Sequence, residues 1–321
     1  AAPALVYFAA MSTPTPKPPH YAVISDETGP DLDTCIDFCR SEGLDGIEIR
    51  MVNGIAPLSL TDDQARDAAR RILGAGLTVA GIATPILKWA MPGKVARDLG
   101  DQFGFDRAGL SDDDITRDAI RIADIFETRN LRIFSYLTHD DFRLDDLAPA
   151  LDRLIEHAKA HDKVLLLENE PVCNIGRFDE LAAALERFAH PRRQGLPDIG
   201  NSAHVGEFPS PELVACLMPR VSHVHFKDYS AAQGRFVPLG EGDVRLDGYL
   251  AALFAGAGER QLTFSLETHT PDQPLEGTRA SFRKLKESVE RALARSEERR
   301  VGKECWWRWW AGPARRGGGG G

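Results

Sequence analysis

VSHVHFKDYS, residues 221–230, reads as a buried β-strand that ends in a polar mouth. Alternation puts Val221, His223 and His225 on one face and Val224 and Phe226 on the other. An imidazole that faces a packed interior needs a hydrogen bond, a metal or a substrate. Lys227 and Asp228 follow where the apolar run stops. Seven further β-rich runs lie on either side of this one. They are YAVIS (21–25), GIEIR (46–50), LTVAGIAT (77–84), LRIFSYL (131–137), VLLLE (164–168), PDIGN (197–201) and LTFSLE (262–267).

Amphipathic helical patterns separate these runs. In DLDTCIDFCRSEG, Leu32, Cys35, Ile36 and Cys39 form one stripe and Gly43 stops the helix. Thr61 and Ser111 are placed to cap the helices TDDQARDAARRILGAG and SDDDITRDAIRIADIF. Eight strands alternating with eight helices between residues 21 and 294 predict an α/β fold, a single-domain (β/α)8 TIM barrel with an outer helical ring. A doubly wound open sheet is the alternative. It usually has fewer strands, and the G-x-G-x-x-G turn it often carries does not follow YAVIS. The longest interruption, residues 85–110, follows the third strand and is placed as a loop over the catalytic face.

The ends read differently. Residues 1–20 combine an apolar stretch without a basic flank and a Pro-rich segment after Met11, and are expected to be a flexible or spurious lead-in. Residues 295–321 run from RSEERRVGKEC into WWRWW and a glycine run; they resemble a translated sequencing adapter and are expected to be a non-native tail.

Lys and Arg number 39 against 48 acids, a net charge of -9. That balance argues against a nucleic-acid partner, which favours a basic face. No apolar run reaches the roughly 18 residues of a membrane span. The five cysteines are scattered and are read as reduced thiols of a cytoplasmic protein.

In a parallel barrel, chemistry belongs at the carboxyl ends of the strands. The fifth strand ends in Glu168, the sixth carries Asp198 and Asn201, the seventh ends with His225, and the eighth ends in Glu267. Three carboxylates cannot share a buried point unless they are protonated or neutralised by a cation. A divalent metal meets that need, and a set of Glu, Asp, Glu and His suits Mn2+, Mg2+, Co2+ or Zn2+.

The ordered set ENEP, D-x-x-N, H-x-H-x-K-D and L-E-T-H, with SDE at 25–27 and IEIR at 47–50, resembles the xylose isomerase-like barrel superfamily of sugar phosphate isomerases and epimerases. The resemblance spans nearly all of residues 21–294. It implies that Glu168, Asp198, His225 and Glu267 are metal ligands and that Glu168 and Glu267 are also the acid/base pair. A metal would stabilise the developing enediolate while one glutamate abstracts the proton beside a carbonyl and the other returns one. Lys88, Glu170, Asn201, His204, His223 and Lys227 are the candidate substrate contacts. Many relatives carry His at the position of Asn201. Surface ion pairs would explain Lys88, Arg50 and Lys227 equally well, and His223 could equally be a satisfied core histidine. Glu48 and Glu27 fit either a substrate role or a structural salt bridge.

The expected activity is that of a metal-dependent isomerase or epimerase of a small sugar, sugar phosphate or polyol ketone, with no nucleic-acid or membrane partner. A homo-oligomer is common in the family. A dehydratase would use the same site. An endonuclease IV-like repair enzyme would need several more histidines than this chain offers, and a non-catalytic sugar-binding barrel would have no need of both glutamates.

Overall fold

The computed structural model describes residues 16–310. The barrel strands are β1 (His20–Ile24), β2 (Gly46–Ile49), β3 (Thr78–Ile86), β4 (Asn130–Ile133), β5 (Val164–Glu168), β6 (Arg193–Leu196) and β7 (His223–Phe226). A hairpin of β8 (Asp228–Ser230) and β9 (Arg235–Val237) precedes the eighth barrel strand, β10 (Thr263–Leu266). All neighbouring barrel strands pair in parallel, in the order β6-β5-β4-β3-β2-β1-β10-β7. Single parallel bridges, Gly195 to Val221 and Asp198 to His225, close β6 onto β7.

The helices are α1 (Leu32–Glu42), α2 (Asp62–Gly74), α3 (Asp112–Ile125), α4 (Ala148–Ala160) and α5 (Phe178–Arg187), followed by α6 (Ile199–His204), α7 (Pro211–Leu217), α8 (Leu246–Ala257) and α9 (Pro274–Trp310). Thr61 and Ser111 form capping boxes as expected, with Gln64 and Asp114 reaching back to the cap amides. Gly43 ends α1 at φ 79°, the left-handed region where a side chain is strained. The expected tail beyond residue 294 continues α9 as far as Trp310. Residues 1–15 of the lead-in and 311–321 of the tail lie outside the described residues.

The sixth strand differs from the expectation. It is RRQGL-derived, Arg193–Leu196, and the proposed strand PDIGN is instead a turn into a helix. Pro197 lacks an amide hydrogen to extend the ladder, and the Asp198 carboxylate accepts from Asn201 N as the N-cap of α6. Asp198 and Asn201 therefore reach the site from a helix start.

Strand alternation sorts the interior. Ile47, Ile49, Leu131, Ile133, Leu165, Leu167, Val224 and Phe226 belong to the main apolar core with the helices. The residues between them, Glu48, Arg132, His223 and His225, are just as buried but stand outside that core and face the barrel axis. Helix packing thus forces charged side chains inward.

Gly200 shows how tightly α6 is seated. A Cβ there would lie 2.8 Å from the Lys227 carbonyl oxygen and against the Lys227 side chain. Gly200→Ala is expected to lower the unfolding free energy by about 1–3 kcal/mol through overpacking, measured by urea denaturation. An unchanged midpoint would contradict this packing.

Candidate active site and metal centre

The four expected ligands converge. One oxygen each of Glu168, Asp198 and Glu267 and a ring nitrogen of His225 lie within 4.8 Å of one another. Glu168 closes β5 and Glu267 follows β10, so both project from the carboxyl end of the barrel. His225 is wholly enclosed. Its Nδ1 lies 2.9 Å from Glu168 Oε1, 3.4 Å from Glu267 Oε2 and 4.0 Å from Asp198 Oδ2.

Two groups outside the expected set hold this constellation in place. Asn169 donates to the Asp198 carbonyl at 3.0 Å and accepts the Asp198 amide at 2.8 Å. Asn201 donates to the Asn169 carbonyl at 2.8 Å, so its amide braces the loop. Arg132, from the middle of β4, lies 3.3 Å from Glu168 and 3.4 Å from Glu267 and donates to the Ala83 carbonyl. Between two apolar residues facing the helices, an arginine in a barrel strand has to point at the axis; that is the sequence signal for it.

The expected substrate contacts divide. Lys227, a surface ion pair on one expectation, is buried with its Nζ 2.9 Å from Glu267 and 3.1 Å from Asp198. Arg50 is buried too, 3.0 Å from Glu267 and 2.7 Å from Glu27. Asp228 caps four backbone amides, of Tyr229, Gly240, Gly242 and Val244, and so fixes the β8-β9 hairpin. His223 stands behind His225, its Nε2 3.0 Å from Glu48, and does not line the cavity described next.

That cavity, of about 590 Å³, falls within the roughly 300–1,000 Å³ of small-molecule pockets, and the four converging side chains stand behind its wall rather than in it. Lys88, Glu170, Asn201 and His204 line it, together with Leu99, Asp101 and Phe103 of the long loop after β3. Arg50 and His269, both in its wall, touch Glu267 Oε1. A larger groove of about 780 Å³ runs beside α4 and α5; unlike the first, it is not lined by Arg50, His269 or Asn201, the residues that contact Glu267 and Asp198.

The charges are unequal in character. Burial pushes Asp198 up to about 7, aided by Glu267 and Glu168 and opposed by Lys227. Burial also penalises Glu267, but Lys227, His269 and hydrogen bonds outweigh it and hold the group well below the usual carboxylate range. Glu168 is likewise lowered despite burial, chiefly by Arg132. Burial opposes charge on His225, yet Glu48 and Glu168 hold it well above its ordinary value.

The donor set fits a divalent metal. Glu168 Oε2 and Asp198 Oδ2 are buried without a hydrogen-bond donor, though Arg132 and Lys227 stand near them. Buried carboxylate oxygens that accept no hydrogen bond keep lone pairs open to a cation. Three oxygens and one imidazole nitrogen suit the hard and borderline ions. Glu48 then has a definite role: its Oε2 lies 2.9 Å from His225 Nε2 and accepts that proton, leaving Nδ1 to face the acids. Glu48→Gln is expected to weaken zinc binding about 10- to 100-fold in a competition titration, with the circular dichroism spectrum retained. Unchanged affinity would remove Glu48 from this role.

No curated protein matches the chain. Among solved structures it is similar to the IOLI protein with a binding zinc atom (15% identity, 85% of this chain and 99% of that chain, TM-score 0.67). It is also similar to L-ribulose 3-epimerase (16%, 87% and 97%, 0.66) and to the probable 3-DHS dehydratase AsbF from Bacillus anthracis (18%, 81% and 97%, 0.62). It spans 44% of a matching fusion of a xylose isomerase-like TIM barrel with a 4-hydroxyphenylpyruvate dioxygenase. At these identities the likeness is one of fold. Residues 36–288 match the family model of the xylose isomerase-like TIM barrel, and the chain belongs to that family.

Proposed function

We propose that this barrel is a divalent-metal-dependent isomerase or epimerase of a small sugar or related polyol ketone. The observation that carries the reading is the convergence of Glu168, Asp198, His225 and Glu267 at one point, joined to the cavity through its wall residues Arg50, His269 and Asn201. Glu168, Asp198, His225 and Glu267 would hold the ion, which when bound supplies polarisation of the substrate's carbonyl and adjacent hydroxyl oxygens.

The protein's own groups do the proton work. Glu168 and Glu267 are both held unprotonated, by Arg132 and by Lys227 respectively, and a carboxylate in that form is the group that accepts a proton from the carbon beside a carbonyl polarised in this way. They reach the site from β5 and from the end of β10, with β6 and β7 between them. Return of the proton by the partner glutamate gives epimerisation, and return to the neighbouring carbon gives isomerisation. Lys227 and Arg132 anchor the two carboxylates so that neither swings out of reach. Loss of a hydroxyl from the same intermediate would make the enzyme a dehydratase, the relation drawn from the similarity to AsbF.

Three outcomes are expected. Incubation of the metal-loaded protein with ketoses in heavy water gives deuterium at the carbon beside the carbonyl; product formed with water loss and no exchange would favour the lyase. Glu267→Gln lowers the exchange rate roughly 10²–10⁴-fold, and removal of the metal by chelation abolishes it; exchange that survives both contradicts the proposal. Ligands must shed protons to bind a metal, so affinity is expected to fall as pH drops through about 7, where Asp198 takes up its proton. A pH-independent affinity between 6 and 8 would contradict that coupling.

A further inference from the structure

We propose that the cavity is a site for an uncharged polyol and turns away substrates that carry a phosphate or a carboxylate. This narrows the isomerase or epimerase reading and rests on it.

Four carboxylates, Asp26, Glu27, Asp101 and Glu170, line the cavity against two basic side chains, Arg50 and Lys88. Arg50 has five N–H donors, and all five directions are taken. Its Nε donates to Asp26 at 2.9 Å, Nη2 donates to Asp26 at 3.0 Å and Glu27 at 2.7 Å, and Nη1 meets Glu267 at 3.0 Å and His269 at 3.2 Å. The upper face of its guanidinium lies on the Phe103 ring, 4.4 Å from the centroid. Lys88, itself buried, has its Nζ 3.3 Å from Glu170 Oε2 and rests over the Phe134 ring at 4.9 Å. An incoming anion would therefore have to compete with Asp26, Glu27 and Glu267 for Arg50 or share Lys88 with Glu170, and in either place would sit among the acids of the wall.

Two further groups near the cavity are engaged or neutral. The start of α6 opens beside the cavity, but its Asn201 amide is taken by the Asp198 carboxylate at 2.8 Å. His204 is packed on the Tyr229 ring at 4.6 Å, and burial together with Lys227 keeps it below its ordinary value, hence neutral at pH 7. What the wall offers instead is carboxylate oxygens that accept hydroxyl protons and the flat rings of Phe103 and Phe236, the latter 5.3 Å from His269, against which the C–H face of a sugar packs. Acceptors plus aromatic faces describe a polyol. The Lys88–Glu170 pair is the element that sets the specificity, because it neutralises the one lysine in the wall.

The test uses the metal-loaded full chain with D-fructose, D-tagatose and D-psicose, each beside its 6-phosphate. Deuterium exchange reports turnover and calorimetry reports binding independently. Free ketoses are expected to exchange with kcat/KM about 100-fold above their phosphates. Glu170→Gln, which releases Lys88, is expected to move that ratio about tenfold toward the phosphate; Lys88→Met is expected to leave it on the side of the free sugar. Exchange that is equal or faster with the phosphates overturns the proposal and leaves the isomerase or epimerase reading standing. Binding of free ketoses without exchange sinks that reading and supports the neutral-polyol cavity. Neither binding nor exchange with any of the six overturns both.

Discussion

The barrel interior is organised by the burial of carboxylates. Glu48, Glu168, Asp198 and Glu267 are all buried, and taking each ion out of water costs on the order of several kcal/mol even after relaxation. His225, Lys227, Arg132 and Arg50 offset that cost at contacts of 2.9–3.4 Å. Such a cluster is a poor way to stabilise a fold, since apolar residues of the same volume would do as well or better. It is a good way to hold acids ready for chemistry, because the cations keep Glu168 and Glu267 in the basic form while two oxygens stay without donors.

The rest of the architecture serves this arrangement. The outward residues of each strand pack the helices, which leaves the inward ones for polar groups. The Asn169–Asp198–Asn201 lattice of hydrogen bonds anchors Asp198, the member of the cluster that stands at a helix start. Glu48 links His225 to His223, whose ring lies deeper in the barrel, so the orientation of the imidazole is set from below while Nδ1 faces the acids.

Much of this was legible in the residues. Period-two alternation gave Glu168 and His225 their direction, and an acid that ends an apolar strand gave Glu267 its place. The (β/α)8 order followed from counting alternating patterns. The sixth strand was not legible, because Arg193-Gln194-Gly195 has neither the branched nor the aromatic residues that mark strands, whereas PDIGN mimics one. The cue to the correct reading was Asp198 as an N-cap directly after a proline. Arg132 was hidden for a different reason: a lone arginine in a strand is ordinarily solvent-facing, and only the closed barrel turns it inward. Arg50, Lys88 and Lys227 could not be told from surface ion pairs, since burial of a long basic side chain depends on partners distant in sequence, such as Glu267 for both Arg50 and Lys227.

Anomalous diffraction from crystals of the manganese-loaded protein tests the central claim most directly. The account predicts one peak coordinated by Glu168, Asp198, Glu267 and the Nδ1 of His225, with Glu48 still bonded to Nε2. A cluster without a peak at saturating manganese, its acids still satisfied by Lys227 and Arg132, would contradict it and leave the barrel interior as a self-neutralised charge network.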